Sequence, residues 1–206
     1  MEKEQIQYIT ILKTARATLE GKDPEEVAKK SGAEYDSERQ VFTVTTYGRK
    51  IELSYPGWET TQEINPWHLA TLIQYLGNAN GIEPSGNFMP LREYRDGGHT
   101  RGASFDSAFE KEIEEGFGKL GTKDIIEAAK KLGGTEIKGK GDVCMVFNFA
   151  PYFPVQMNYW EPDDEFPASG RLLCDTTAEN FLGVEAAGFA MDLLITYILE
   201  LKENCL

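Results

Sequence analysis

Residues 151–167 carry a run of aromatics and prolines that closes on a run of acids, with five aromatics, four carboxylates and four prolines in one stretch. Val155–Trp160 reads as a strand, and Glu161–Pro167 as a stiff loop whose prolines limit the entropy of its fixed carboxylates. Val143–Phe149 before it and Arg171–Cys174 after it read as companion strands, so this part of the chain must form a small sheet. The remaining pattern is mostly helical. Residues 4–20 place Tyr8, Leu12, Ala15 and Leu19 at helical spacing, and Gly21 closes that helix. Asp23-Pro24-Glu25-Glu26 combines an N-cap, a first-turn proline and acids at the positive end of the dipole, and starts a short helix ending near Gly32.

Val41–Thr46 and Lys50–Tyr55 alternate about Gly48 as a hairpin, which Pro56-Gly57 ends. Asn65-Pro66 begins a helix with Leu69, Leu72, Ile73 and Leu76 on one face. Phe105–Phe117 and Thr122–Leu132 are two more helices. Val184–Leu201 is long and apolar enough to pack centrally. Residues 80–104 are irregular and glycine-rich, and a loop of that length is usually functional or mobile. The order ααββα(loop)ααβββα predicts one α+β domain over residues 1–206. It would hold a small antiparallel or mixed sheet packed by several helices, including the long C-terminal one.

The chain has 206 residues, 41% hydrophobic and 27% charged, with a net charge of -13. A core of useful size needs no disulfide or structural metal at this length. The acidity disfavours nucleic acid and anionic membranes as partners. No apolar run approaches the roughly 20 residues of a membrane helix. The first residues, Met1-Glu-Lys-Glu-Gln, lack the apolar core of a signal peptide, which points to the cytoplasm. Cys144, Cys174 and Cys205 are widely spaced and odd in number, against a disulfide framework or a closed zinc or iron–sulfur site. Buried, inert thiols are the expectation for the first two.

Three segments could carry chemistry. The loop Trp160–Pro167 could bring Asp163 and Glu165 to a cation such as Mg²⁺ or Ca²⁺; its plainer reading is an acidic surface loop anchored by Trp160 and Phe166. The loop from Arg92 to Gly102 gathers Arg92, Arg95 and Arg101 with Tyr94 and His99. Its arginines could receive carboxylates or phosphates, and His99 could act as acid/base or metal ligand; the plainer reading is arginines paired with nearby acids. Trp67 and His68 open a helix and could line a pocket, though such residues more often cap and staple it. The glycines at 133–141 follow a helix and precede a strand, the wrong order for a phosphate loop. No P-loop, nucleophile elbow, H-E-x-x-H or Cys–His pairing is present.

Several stretches together resemble the domain of unknown function family 3786, found in anaerobic bacteria and archaea. They are Asp23–Tyr35, Pro66–Asn80, Phe153-Pro-Val with Trp160–Pro167, and Leu172-Leu-x-Asp175. The resemblance spans residues 5–200, with Trp160–Pro167 its most specific part. It implies a companion of iron–sulfur and corrinoid-dependent methyl-transfer systems, so an iron–sulfur or corrinoid methyltransferase protein is the implied partner. Some members carry an added four-cysteine module, which this chain cannot build, and it lacks the D-x-H-x-x-G pattern of corrinoid domains.

Three functions then compete. The first is a binding domain for a corrinoid, another tetrapyrrole or a similar large ligand, walled by aromatics such as Trp58, Trp67, Tyr94 and Trp160 and met by Arg92, Arg95 and Arg101. The second is an enzyme using His99 with Asp163 or Glu165. The third is an adaptor docking on a redox or methyltransferase partner. If the loops at 92–102 and 160–167 face one another across a concavity, a ligand is favoured; separate faces favour the adaptor.

Overall fold

Two helices, α1 (Glu2–Ala17) and α2 (Pro24–Ser31), open the chain in a computed structural model that describes residues 2–203. Cys205 lies outside those residues. The caps follow from the sequence: the Asp23 carboxylate accepts from the Glu25 amide, and Gly32 takes the left-handed conformation that ends α2. A three-stranded antiparallel sheet comes next, β1 (Glu34–Asp36), β2 (Val41–Thr46) and β3 (Arg49–Ser54), in that spatial order. Helix α3 (Pro66–Asn78) starts at Asn65, whose side chain accepts from the Trp67 amide at 2.9 Å.

A second, five-stranded antiparallel sheet is built from β4 (Phe88–Met89), β5 (Thr135–Glu136), β6 (Val143–Ala150), β7 (Phe153–Trp160) and β8 (Ser169–Asp175), in the order β4-β8-β7-β6-β5. Helices α4 (Ala103–Glu112), α5 (Thr122–Lys131) and α6 (Val184–Glu203) complete the fold. Alternation along β7 buries Val155, Met157 and Tyr159 while Gln156, Asn158 and Trp160 are half-buried, the period of two expected of a pleated strand. Helix α4 lies on β8 and α5 on β6, and α6 packs against α3, α4 and α5. The inner residues of α6, Ala187, Ala190, Met191, Leu194 and Ile198, are fully buried. One core joins both sheets and the helices, so the chain is a single α+β domain. The sheets meet where the Tyr47 amide donates to the Asn148 carbonyl at 2.8 Å.

Both sheets are antiparallel, which settles the choice between an antiparallel and a mixed sheet. Strands β1, β4 and β5 do not show in the sequence because two or three residues cannot display a period. The segment Phe105–Phe117 is not one regular helix: α4 ends at Glu112 and a π-helical turn covers Ile113–Phe117. Its apolar residues recur every fourth position, whereas a regular turn holds about 3.6 residues, so the stripe would rotate about 40° per step. The wider turn keeps both Ile113 and Phe117 fully buried. Cys144 and Cys174 are buried free thiols, as expected. Among the described residues no helix is long and apolar enough to cross a membrane.

Candidate functional site

A cleft of about 690 Å³ is bounded by α1, α3, the first turns of α6, and the segments 94–96 and 176–183. Helical spacing sets its walls. On α3, Trp67, Thr71 and Gln74 fall at i, i+4 and i+7 and face into it. On α1, Ile11, Thr14 and Ala15, with Thr18 just past its end, line the facing side. Trp67 and Phe189 of α6 stack at 5.7 Å between centroids and 17° between planes, and Tyr8 meets the indole edge-on. The cleft therefore has an aromatic end.

Its opposite end is polar. Arg95, Asp96, Glu179 and Glu185 line it, one cation against three carboxylates. Arg95 pairs with Glu179 at 3.6 Å, and the Arg101 guanidinium grips Glu185, with Nη2 to Oε2 at 2.7 Å. That hydrogen bond holds the Glu185 carboxyl below its usual range despite partial burial. Asp96 forms no ion pair among the described residues. Two further polar side chains line the cleft. Thr71 is only 5% exposed, and its hydroxyl makes no hydrogen bond to the described residues; Gln74, half-buried beside it, has a free carboxamide.

The arginine loop is held from below. Asp106, nearly buried on α4, accepts from the Leu91 and Arg92 amides at 3.0 and 3.1 Å and from Arg92 Nε at 2.8 Å. A Cβ on Gly102 would overlap the Leu91 carbonyl, so glycine is required for the 98–102 turn to lie against 91–92. The Tyr94 hydroxyl is buried with no hydrogen-bonding oxygen or nitrogen nearby, and the Cys174 thiol is its electrostatic neighbour. Burial pushes the tyrosine well up and the thiol to about 12, so both stay protonated.

Of the residues singled out from sequence, Trp67, Tyr94 and Arg95 line this cleft, and Arg101 reaches its rim through Glu185. Arg92 is engaged with Asp106 and with Glu110 at 3.6 Å, beneath the loop. His99 is exposed and is not part of the lining. His68 is buried, with Nε2 to the Thr46 hydroxyl at 2.6 Å and Nδ1 to the Tyr197 hydroxyl at 2.9 Å, a core histidine satisfied at both nitrogens.

Trp160 lies elsewhere. With Glu114, Asp142, Asp163 and Phe166 it lines a separate cleft of about 630 Å³, and its indole donates to the Lys140 carbonyl at 3.1 Å. Asp163 Oδ1 caps its own turn, accepting from the Glu165 and Phe166 amides at 2.8 Å each, and Glu165 is exposed. Among the described residues no group of three His, Cys, Asp or Glu side chains gathers as a metal site would. The loops 92–102 and 160–167 line no common cleft, which by the criterion above counts toward the adaptor, although residues 94–96 line the first cleft without the second loop. Strand β8 runs between them, with its Ser169 end beside 160–167 and its Asp175 end beside the arginine segment, and seven extended residues span roughly 20 Å.

The segments that resemble a known family now have places: Asp23 caps α2, Pro66–Asn80 supplies the α3 wall, and Asp175 clamps the end of β8. A family model described as "Domain of unknown function (DUF3786)" matches residues 23–197. The chain belongs to this family. No curated protein and no solved structure matches it. The DUF3786 span includes the α3, α6 and 94–96 walls of the cleft, while α1, which closes the remaining side, precedes it. Sequence reading missed Thr71 and Gln74 and the α6 turns. The available signal was a pair of polar residues spaced from Trp67 along an otherwise apolar DUF3786 helix.

Proposed function

We propose that this protein is a small-molecule-binding domain whose ligand occupies the cleft between α1, α3 and α6. One observation carries the reading: a concavity of about 690 Å³ with an aromatic wall formed by Trp67 and Phe189 and polar side chains, Thr71 and Gln74, in its lining. That volume and that mixture of surfaces are those of a ligand pocket. Arg92 and Arg101 act as frame more than as open receptors, because each is held by a carboxylate, while Arg95 keeps a side chain 92% exposed beside Glu179. This lowers the weight of a strongly anionic ligand. A corrinoid or other tetrapyrrole, which the family resemblance implies, is one class to try, with its ring edge against Trp67. Service to a methyl-transfer or iron–sulfur partner belongs to the same proposal.

Native mass spectrometry and a visible spectrum of protein purified anaerobically from its host test the reading. These are followed by titration with hydroxocobalamin, haem and nucleotides. A bound mass whose retention falls on Trp67→Ala supports it. A ligand-free chain that binds none of these overturns it and favours the adaptor.

A further inference from the structure

The class of ligand is written in the floor of the cleft, and this step rests on the reading just given. We propose that the cleft takes a planar, uncharged nitrogen heterocycle, a ring with hydrogen-bond donor and acceptor groups along one edge, as in a nucleobase or a flavin-type lactam.

Three residues of one helix face carry the argument. Trp67 presents a half-buried indole whose stacking partner Phe189 fixes its plane, which suits a flat ring better than a flexible chain. Thr71, 5% exposed, holds a hydroxyl in the cleft wall that finds no partner in the protein. That hydroxyl is open to the cleft and not sealed in the core, so a ligand that displaces water there must replace its hydrogen bond or lose affinity. Gln74, one turn on, adds a free carboxamide. A hydroxyl and a carboxamide each donate and accept, and side chains at i and i+3 stand about 5–6 Å apart, within reach of adjacent polar atoms on one ring edge. Neither group carries charge, so neither selects an ion.

The charged end narrows the class further. Asp96, Glu179 and Glu185 outnumber Arg95 in the lining, and Arg101 at the rim is already held by Glu185. A phosphate tail would meet carboxylates there. The unphosphorylated heterocycle or its nucleoside is therefore preferred to the nucleotide, opposite to the order in a phosphate-binding fold.

The test is calorimetric titration, with tryptophan fluorescence alongside, of the intact chain against adenosine, guanosine and riboflavin and against their monophosphates. The expected result is saturable binding of at least one heterocycle, with its monophosphate weaker by about fivefold or more. Thr71→Val and Gln74→Leu should each weaken that binding by about tenfold while the melting temperature is retained. Binding that ignores both substitutions, a monophosphate that binds tighter, or no binding by any heterocycle overturns the proposal. The broader reading fails separately. If a molecule of another class copurifies and Trp67→Ala releases it, the cleft is a ligand site and only the assignment of its class is wrong.

Discussion

His68 is neutral in the folded protein because burial, helped by Arg49, lowers its pKa from 6.5 to about 3. The unfolded chain therefore binds the extra proton between those values. The stability this histidine contributes is complete above pH 6.5 and is lost as pH falls toward 3. At pH 5 the loss should be about 2 kcal/mol, read as a lower urea midpoint than at pH 7. A His68→Leu variant should lose that part of the pH dependence. It should also cost about 2–4 kcal/mol at pH 7, because the Thr46 and Tyr197 hydroxyls lose their partner. Asp175 is the opposite kind of buried group. Burial pushes its carboxyl up, but the Thr177, Ser85 and Gly86 amides and the Thr177 hydroxyl outweigh that and hold it below the usual range. Its contribution is therefore present above the ordinary carboxylate pKa and lost as pH falls through the lowered one. Asp175→Ala should destabilise the protein by about 1–3 kcal/mol at pH 7, measured by chemical denaturation, since it strips one acceptor from the Ser85, Gly86 and Thr177 donors that pin the 85–86 turn and the end of β8. An unchanged midpoint would show that the clamp holds little.

At the scale of elements, α1 is the wall outside the family span, and it is attached through its C-terminal half. Ala15 and Leu19 are buried, and a Cβ on Gly77 of α3 would overlap Thr18. Ile9, in the other half, is 58% exposed. Gly77→Ala should therefore push α1 away from α3, lowering stability by about 1–3 kcal/mol in a thermal melt. It should also weaken whatever the cleft binds, although the substituted atom lies outside the lining. A melt unchanged within error would mean that α1 adapts freely and is not a fixed wall. Elements also differ in how legible they were. Caps at Asp23 and Asn65 and the β2–β3 hairpin follow from local chemistry and were readable from a few residues. The π turn at Ile113–Phe117 was not, because it answers to the core that Ile113 and Phe117 must reach.

For the whole molecule, a net charge of -13 on 206 residues means that like charges repel over the surface in the compact state. The ion pairs outside the buried Asp106 contact are largely exposed, and each contributes little. Screening should therefore help more than it harms. Raising NaCl from about 20 to 500 mM should increase the melting temperature by a few degrees, followed by calorimetry. A fall would mean that attractive pairs outweigh the general repulsion.

The α+β class, the central apolar helix, the three strands around residues 143–175 and the buried cysteines were determined by the amino-acid sequence, because periodicity and capping act over a few neighbouring residues, whereas the order of the strands was not. The site was only half determined. Trp67, Tyr94 and Arg95 stood out by residue type, but an arginine loop reads the same whether its charges are open or already matched. Only the tertiary structure sets Glu179, Glu185 and Asp106 against those arginines, from positions far along the chain. It alone turns Thr71 and Gln74, ordinary polar residues in a helix, toward the start of α6. It also decides that the loops 92–102 and 160–167, whose relation the sequence left open, line separate clefts.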